Sequence, residues 1–233
     1  HNPTSPIMAF FSLHNITLSF ALLCSLTAFL IGRKNRHKFP ELRYFYLYPL
    51  ASFLQILSYF IVRYIDFGME TYFNVTSIGT NIFLLVEFLL FYHFFYAIVE
   101  FRFLKSLILY LTPVYLLSLL LYWIFDTPIN YFPYKLFIPQ AFLLLIPAFT
   151  HLLNYLRPPG KPNIFQLHSF WIVIGILLYS SCTLPIFLMQ ESLYLDTSIV
   201  TGAMLYSINY ISYGILFILI AKAYLCPNRA TLA

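Results

Sequence analysis

The sequence predicts an all-α, polytopic membrane protein, a bundle of seven transmembrane helices. Of its 233 residues, 61% are hydrophobic and only 9% are charged, whereas a soluble domain carries about 25% charged residues. A bilayer core of about 30 Å is crossed by roughly 20 apolar residues, and seven such runs fill most of the chain. Because the connections are too short to build a core of their own, we expect residues 1–233 to form one transmembrane domain.

The elements follow from apolar runs that end at charged residues, proline or asparagine. The first run, 7–31, is too long for the core of a cleaved signal and stops at a basic cluster, so we expect a retained helix, with Met8 as a candidate natural start. The predicted spans, in order, lie at about 9–31, 42–65, 77–99, 103–125, 136–156, 166–189 and 198–224.

The loops predict the orientation, since an odd number of spans places the two termini on opposite sides. One side holds 11 of the 13 basic residues, namely Arg33, Lys34, Arg36, Lys38, Arg43, Arg102, Lys105, Arg157, Lys161, Lys222 and Arg229. The other side holds Arg63 and Lys135, together with the acids Asp66, Glu70, Asp126, Glu191 and Asp196. Positively charged loops stay in the cytoplasm. The amino terminus is therefore predicted outside and the carboxyl terminus in the cytoplasm.

Prolines and aromatic residues add two expectations about the spans. Prolines inside a span should bend it, and five fall within the predicted spans: Pro49, Pro113, Pro139, Pro147 and Pro185. Tyrosines near helix ends are explained by anchoring at the membrane interface, and the inner end of the second span carries Tyr44, Tyr46 and Tyr48.

Glu87 is the one acid predicted deep inside a helix, about 15 Å from the outer end of its span by the helical rise. Ionisable residues at such depth are costly to bury and are candidates for function. The same depth count brings other polar residues to this level: Gln55, Tyr179, Ser207 and Asn209. If the second, third, sixth and seventh helices enclose a pocket, these residues would form its floor and bind a small polar ligand or a proton. A structural hydrogen-bond network, at about 0.6 kcal/mol per contact, is the alternative interpretation.

The sequence requires no cofactor or metal. His93 and His151 lie at similar depths in the third and fifth spans and form a weak candidate pair for haem ligation. Retinal needs a lysine in the middle of the last helix, but Lys222 is at its cytoplasmic end. Nucleic-acid binding is excluded as an expectation, because no basic domain outside the membrane would support it.

Three segments resemble a known group of proteins: VEFLLFYHFFY at 86–96, FWIVIGILLY at 170–179 and NYISYGILFILIAKAYLC at 209–226. The chain is similar, over nearly its whole length, to small seven-helix proteins of Bacteroidota that are often encoded near sensor histidine kinases or response regulators. The resemblance implies a bacterial inner-membrane location and a role in signalling. It supplies no activity and no catalytic residues.

These observations favour a non-enzymatic sensor or accessory subunit that lies in the bilayer. It would open a cavity outward above Glu87 and pass its state to a cytoplasmic or membrane signalling partner through the basic inner face. A second hypothesis is a proton-coupled transporter or lipid-modifying enzyme that uses Glu87 as proton carrier or general base. A third is a structural subunit of a membrane complex.

Overall fold

The computed structural model describes residues 6–64, 69–125, 134–156, 164–196 and 199–227, which form helices joined by short turns, with no strand among them. The seven helices are α1 (Pro6–Asn35), α2 (Leu47–Tyr64), α3 (Met69–Ile98), α4 (Arg102–Phe125), α5 (Tyr134–Leu156), α6 (His168–Asp196) and α7 (Ile199–Leu225). Short 3-10 helices precede α2 and α6, at Pro40–Leu42 and Ile164–Gln166.

Seven apolar spans of 20 to 24 residues coincide with the seven helices, and the second span, Pro40–Val62, also includes the turn before α2. Such spans are long enough to cross a bilayer core of about 30 Å at 1.5 Å per residue. The predicted all-α class and the seven apolar helices are therefore confirmed, and the protein is an integral membrane protein. Two helices run well past their predicted ends: α3 begins at Met69 and α6 continues to Asp196. Charged residues end an apolar run without ending a helix, because the backbone hydrogen bonds continue beyond the bilayer core.

The prolines are placed in two different ways. Pro113 lies inside α4, Pro139 and Pro147 inside α5, and Pro185 inside α6. The prediction of a bend at Pro49 is wrong, because α2 begins at Leu47 and Pro49 lies in its first turn rather than inside it. The first four amides of a helix have no carbonyl to bond within the helix, so a proline is tolerated there without a kink.

Six helices form a ring, in the order α1, α2, α3, α5, α6 and α7, and α1 closes the ring against α7 in the most extensive pairing of the bundle. Helix α4 packs outside this ring, against α3 and α5. Only 17% of the residues in the α4 span are buried, compared with 33–50% in the other six. Helix α4 is therefore the helix that the rest of the bundle holds least firmly.

Glycines allow α1 and α7 to approach closely. A Cβ atom on Gly214 would overlap the ring of Phe20, and one on Gly32 would lie 2.9 Å from the ring of Tyr224 and from Cβ of Tyr46. The same Tyr224 donates a buried hydrogen bond of 2.9 Å from its hydroxyl to the carbonyl oxygen of Leu42. The end of α7 is thereby tied both to α1 and to the turn before α2.

One end of the bundle, which we call the basic end, holds the carboxyl-terminal ends of α1, α3, α5 and α7. The Lys and Arg residues whose side chains the structure describes are all at this end: Arg33, Lys34, Arg36, Lys38, Arg43, Arg102, Lys105 and Lys222. The side chains of the residues assigned to the outer side, from Arg63 and Asp66 to Lys135, Glu191 and Asp196, lie outside the described part. The side of the membrane that the basic end faces stays a prediction.

Candidate functional site

Glu87 lies at the centre of a buried hydrogen-bond network. Its side chain is 1% exposed, and it is eleven residues from each end of the span Thr76–Ile98. The oxygen Oε1 accepts hydrogen bonds from the hydroxyl groups of Tyr48, at 2.9 Å, and Tyr213, at 3.3 Å. The other oxygen, Oε2, accepts a hydrogen bond of 2.9 Å from Nε2 of Gln140. Three donors thus face Glu87, whose carboxylate, when ionised, accepts hydrogen bonds and donates none.

The network extends one step further, to α4. The hydroxyl of Tyr115 donates a 2.7 Å hydrogen bond to Oε1 of Gln140, which leaves the Gln140 amide free to donate to Glu87. Both Tyr115 and Gln140 are buried. The Glu87 network, composed of Tyr48, Glu87, Tyr115, Gln140 and Tyr213, therefore joins α2, α3, α4, α5 and α7. A rearrangement at any one of these side chains changes the hydrogen bonds of the others.

The partners of Glu87 differ from those that depth alone suggested. Nε2 of Gln55 donates to Oγ1 of Thr80, at 3.2 Å, and to the hydroxyl of Tyr59, at 3.5 Å, rather than to Glu87. Thr80 lies seven residues before Glu87 on α3, about 10 Å along the helix axis, so Gln55 is nearer the other end of the bundle than the depth count placed it. Tyr48, seven residues before Gln55 on α2, is the residue at the level of Glu87. Asn209 likewise makes no hydrogen bond to Glu87 among those the structure describes.

Sequence reasoning missed two important members of the network. Tyr48 was explained as an interfacial anchor, but its side chain is 0% exposed, so that explanation is wrong. Gln140 was not proposed as a partner. The sequence did contain a signal for Gln140, which lies inside the apolar fifth span. A side-chain amide in the bilayer needs a hydrogen-bond partner, and the same reasoning applies to Gln55.

A cavity of about 70 Å³ lies on the side of Glu87 away from the basic end. We call it the interhelical cavity, and it is enclosed by α2, α3, α5, α6 and α7. Its lining includes three residues of the predicted pocket, Gln55, Tyr179 and Asn209, whereas Ser207 is buried without lining it. The other lining residues are Ser52, Ile56, Tyr59, Thr80, Phe83, Leu84, Phe137, Phe187, Tyr206, Tyr210 and Tyr213.

Two polar atoms at the interhelical cavity have no hydrogen-bond partner among the described residues: Oγ of Ser52 and Oδ1 of Asn209. Buried polar atoms are nearly always hydrogen-bonded, either to protein or to an ordered water. One water molecule takes up about 30 Å³ in the liquid, so the cavity has room for a few atoms of a guest. These two atoms are therefore available to a small guest that forms hydrogen bonds.

Tyr213 connects the interhelical cavity to the Glu87 network. Its ring lines the cavity, and its hydroxyl donates to Glu87. The ring of Tyr179 meets that of Tyr213 edge-on, with 4.5 Å between the centroids. A guest that moves either ring consequently moves a donor of the buried carboxylate.

Aromatic side chains fill the space between Glu87 and the basic end. This phenylalanine layer consists of Phe45, Phe91, Phe94, Phe95 and Phe217, all of them at most 2% exposed. Phe45 contacts Phe91 and Phe94, with ring centroids 5.3 Å and 5.1 Å apart. The side of the Glu87 network that faces the basic end is thus apolar and closely packed.

The two histidines considered for haem ligation face different surroundings. His93 is exposed and its ring lies edge-on to Tyr44, with centroids 6.1 Å apart. His151 is buried, and its ring meets that of Tyr155 at 4.6 Å. Within the described residues, no three His, Cys, Asp or Glu side chains converge on a point that a metal ion would fill.

Comparisons of the chain with protein-family models, with curated proteins and with solved structures find no match. The Glu87 network and the interhelical cavity are therefore the features that point to a function.

Proposed function

We propose that the protein is a non-enzymatic membrane sensor whose small polar ligand occupies the interhelical cavity. The observation that carries the proposal is the position of Tyr213, which lines the cavity and also donates to Glu87. A ligand that contacts Tyr213 alters a network that joins five helices. The signal is then a change in helix packing, and the chain needs no catalytic residue of its own.

The lining of the interhelical cavity indicates the chemistry of the ligand. Hydroxyl and amide groups line it beside aromatic walls, and none of the described lining residues is charged. Such a surface favours an uncharged molecule that donates and accepts hydrogen bonds. Its volume of about 70 Å³ is far below the roughly 300 Å³ of a common small-molecule pocket. A larger ligand must separate the helices to enter, so it binds the separated state more tightly than the closed state. A difference in affinity between two states is what a sensor requires.

Helix α4 is a suitable output element. It lies outside the ring of six helices and is held there in part by two hydrogen bonds, from Tyr115 to Gln140 and from Nε1 of Trp123 to Oδ1 of Asn81, at 3.0 Å. The first of these bonds ends in the Glu87 network. At its other end, α4 starts with Arg102 and Lys105 at the basic end, where a signalling partner would detect its displacement.

The distribution of charge supports the orientation and location that complete this proposal. We infer that the basic end faces the cytoplasm, because positively charged segments are retained there. The interhelical cavity then lies toward the outside. A bacterial inner membrane and a cytoplasmic or membrane signalling partner fit this arrangement.

Proton-coupled transport is the second candidate, and the buried carboxyl group of Glu87 at mid-span favours it. Transport requires a continuous route to the basic end, and the phenylalanine layer fills that route in this structure. The sensor is therefore the better-supported proposal. Proton flux into vesicles that contain the purified protein, abolished by Glu87→Gln, would instead establish the transporter.

Cysteine labelling tests whether the interhelical cavity admits small molecules. In a variant without Cys24, Cys182 and Cys226, we expect Asn209→Cys to react with a small methanethiosulfonate reagent added at the end opposite to the basic end. The control Ser25→Cys should stay unmodified, because residue 25 is 0% exposed and lies outside the cavity. Formamide and glycerol, as uncharged probes, should slow the reaction at position 209. If position 209 resists the reagent in a folded protein, the cavity is closed and a structural subunit becomes the better interpretation.

A further inference from the structure

A second, larger cavity of about 460 Å³ opens among the helix ends at the basic end. We call it the basic-end cavity, and its volume falls in the range of roughly 300–1,000 Å³ that is common for small-molecule sites. It is walled by the turn before α2, the end of α3, the end of α5, the start of α6 and Pro227. None of the residues of the Glu87 network lines it, so it is separate from the proposed sensor site.

The acids of the basic end are concentrated in this cavity. Three glutamates have described side chains, and the two outside the Glu87 network, Glu41 and Glu100, both line the basic-end cavity. Eight described Lys and Arg residues lie at this end, of which Lys38 lines the cavity, yet the exposed Glu100 makes no ion pair with the described residues. A carboxylate that is left unpaired among so many cations is available to a positively charged group on a ligand.

The cavity is also electrically polarised from one wall to the other. Glu100 follows the carboxyl-terminal end of α3, where unpaired carbonyl groups favour a cation. Another wall contains the start of the 29-residue helix α6, at His168, and the positive end of a helix dipole favours an anion. Lys38 adds a positive charge to the lining. Glu41 also lies at the start of α6, where its carboxylate faces the imidazole of His168. The wall at Glu100 therefore suits an ammonium group, and the wall at Lys38 and the start of α6 suits a phosphate or carboxylate group.

Some of the lining side chains, at the start of α6 and the end of α5, are held in place before any ligand arrives. The ring of His168 stacks on Phe39, with centroids 4.2 Å apart, and its Nε2 lies 3.8 Å from Oε2 of Glu41. On the neighbouring wall, the hydroxyl groups of Tyr155 and Ser169 are hydrogen-bonded at 3.0 Å. These contacts reduce the side-chain ordering that binding would otherwise require.

We propose that the basic-end cavity binds a zwitterion that combines a primary ammonium group with a phosphate group, as phosphoethanolamine does. The ammonium group donates hydrogen bonds to Glu100, and the phosphate group lies between Lys38 and the start of α6. A metal ion is a poorer guest, because Glu41, Glu100 and His168 do not converge on one point. The ligand is either a lipid headgroup, reached from the bilayer, or a soluble molecule of the same chemistry.

Native mass spectrometry of the delipidated full chain tests this inference. We expect phosphatidylethanolamine to bind about tenfold more tightly than phosphatidylcholine, whose trimethylammonium group cannot donate a hydrogen bond, since one charge-assisted bond corresponds to about that factor. Glu100→Gln should remove this preference, and Lys38→Gln should weaken both lipids. Lys34→Gln is the matched control, because Lys34 is exposed at the same end and does not line the cavity.

Competition identifies the source of the ligand. Soluble phosphoethanolamine that displaces the lipid at millimolar concentration indicates a soluble ligand, whereas no displacement indicates a lipid headgroup, and either result upholds the shared chemistry. Equal binding of phosphatidylethanolamine, phosphatidylcholine and phosphatidylglycerol overturns the proposal. A Glu100→Gln protein that melts like the wild type and keeps the ethanolamine preference also overturns it. Neither result bears on the interhelical cavity.

Discussion

At the scale of single residues, two substitutions of Glu87 distinguish the loss of its charge from the loss of its hydrogen-bond acceptors. A glutamine at position 87 keeps an acceptor for Tyr48 and Tyr213, and Gln140 can turn its amide to accept. A leucine removes the acceptor of Tyr48 and Tyr213 and leaves the Gln140 amide only the carbonyl oxygen of Leu84, at 3.5 Å. Each buried group without a partner costs about 1–3 kcal/mol. The two substitutions should therefore have different consequences for stability.

We expect Glu87→Gln to lower the free energy of unfolding by about 1 kcal/mol and Glu87→Leu to lower it several times more. Thermal unfolding of the purified variants, followed by intrinsic fluorescence in the same detergent, measures both. Leu89→Ala is a suitable control, because Leu89 is 41% exposed on the same helix and takes no part in the network. A leucine variant as stable as the wild type would show that the three donors find other partners.

The sequence was sufficient to identify Glu87 but not most of its neighbours. An acid in an apolar span stands out in composition. Gln55, Tyr179 and Asn209 were expected at the depth of Glu87, whereas they line a cavity to one side of it, and Gln55 bonds to Thr80. Tyr48 and Gln140 were missed as partners because contact between helices depends on which faces meet. Which faces meet depends on how each helix is rotated about its own axis. The composition of an apolar run does not reveal this rotation.

At the scale of helices, α1 and α7 can approach closely because glycines, which have no side chain, lie where they meet. Gly32 lies against a ring of α7 and against Cβ of Tyr46, an atom fixed by the backbone. Gly79 on α3 differs, because its nearest neighbour would be Oγ of Ser58 at 3.8 Å, an ordinary contact distance. The same substitution at the two glycines therefore compares a crowded position with an open one.

We expect Gly32→Ala to destabilise the protein by about 1–3 kcal/mol, the usual cost of overpacking. Gly79→Ala should be neutral or slightly stabilising, because alanine is the better helix former. The melting temperatures of the two variants, measured side by side, provide the check. Equal melting temperatures would mean that Tyr224 moves aside without cost.

The hydropathy pattern predicted the number of helices but not where each helix begins and ends. The apolar runs located all seven helices, because each run is as long as the bilayer core is thick. They did not reveal that α3 starts at Met69, or that a 3-10 turn at Pro40–Leu42 delays α2 to Leu47. Outside the bilayer, the chain's path depends on local contacts such as the bond from Tyr224 to Leu42.

At the scale of the whole molecule, the uneven charge distribution predicts which end faces the cytoplasm. Green fluorescent protein fused after Cys226 should fluoresce in bacterial cells, because it folds in the cytoplasm, and alkaline phosphatase fused there should be inactive. Fusions placed after Phe125, at the other end of the bundle, should give the reverse pattern. Active phosphatase after Cys226 would contradict the orientation and place the basic end outside.

The arrangement of helices around the bundle was not accessible from the sequence. Seven apolar runs give the number of helices but not their neighbours, and all seven have similar compositions. The position of α4 outside the ring depends on how side chains of α3 and α5 fit together across the core. Residues such as Asn81 and Trp123, which bond α4 to α3, were therefore not identified as a pair beforehand.

The pairing of α1 with α7 has a consequence for biosynthesis. The two helices are separated by most of the polypeptide, and the first emerges from the ribosome long before the second. Until α7 is made, the face of α1 around Phe20 and Gly32 lacks its partner, and the ring of Phe20 lacks the groove at Gly214. Helix α1 must wait in the membrane with this face against lipid or an insertion factor, and the last helix completes the fold.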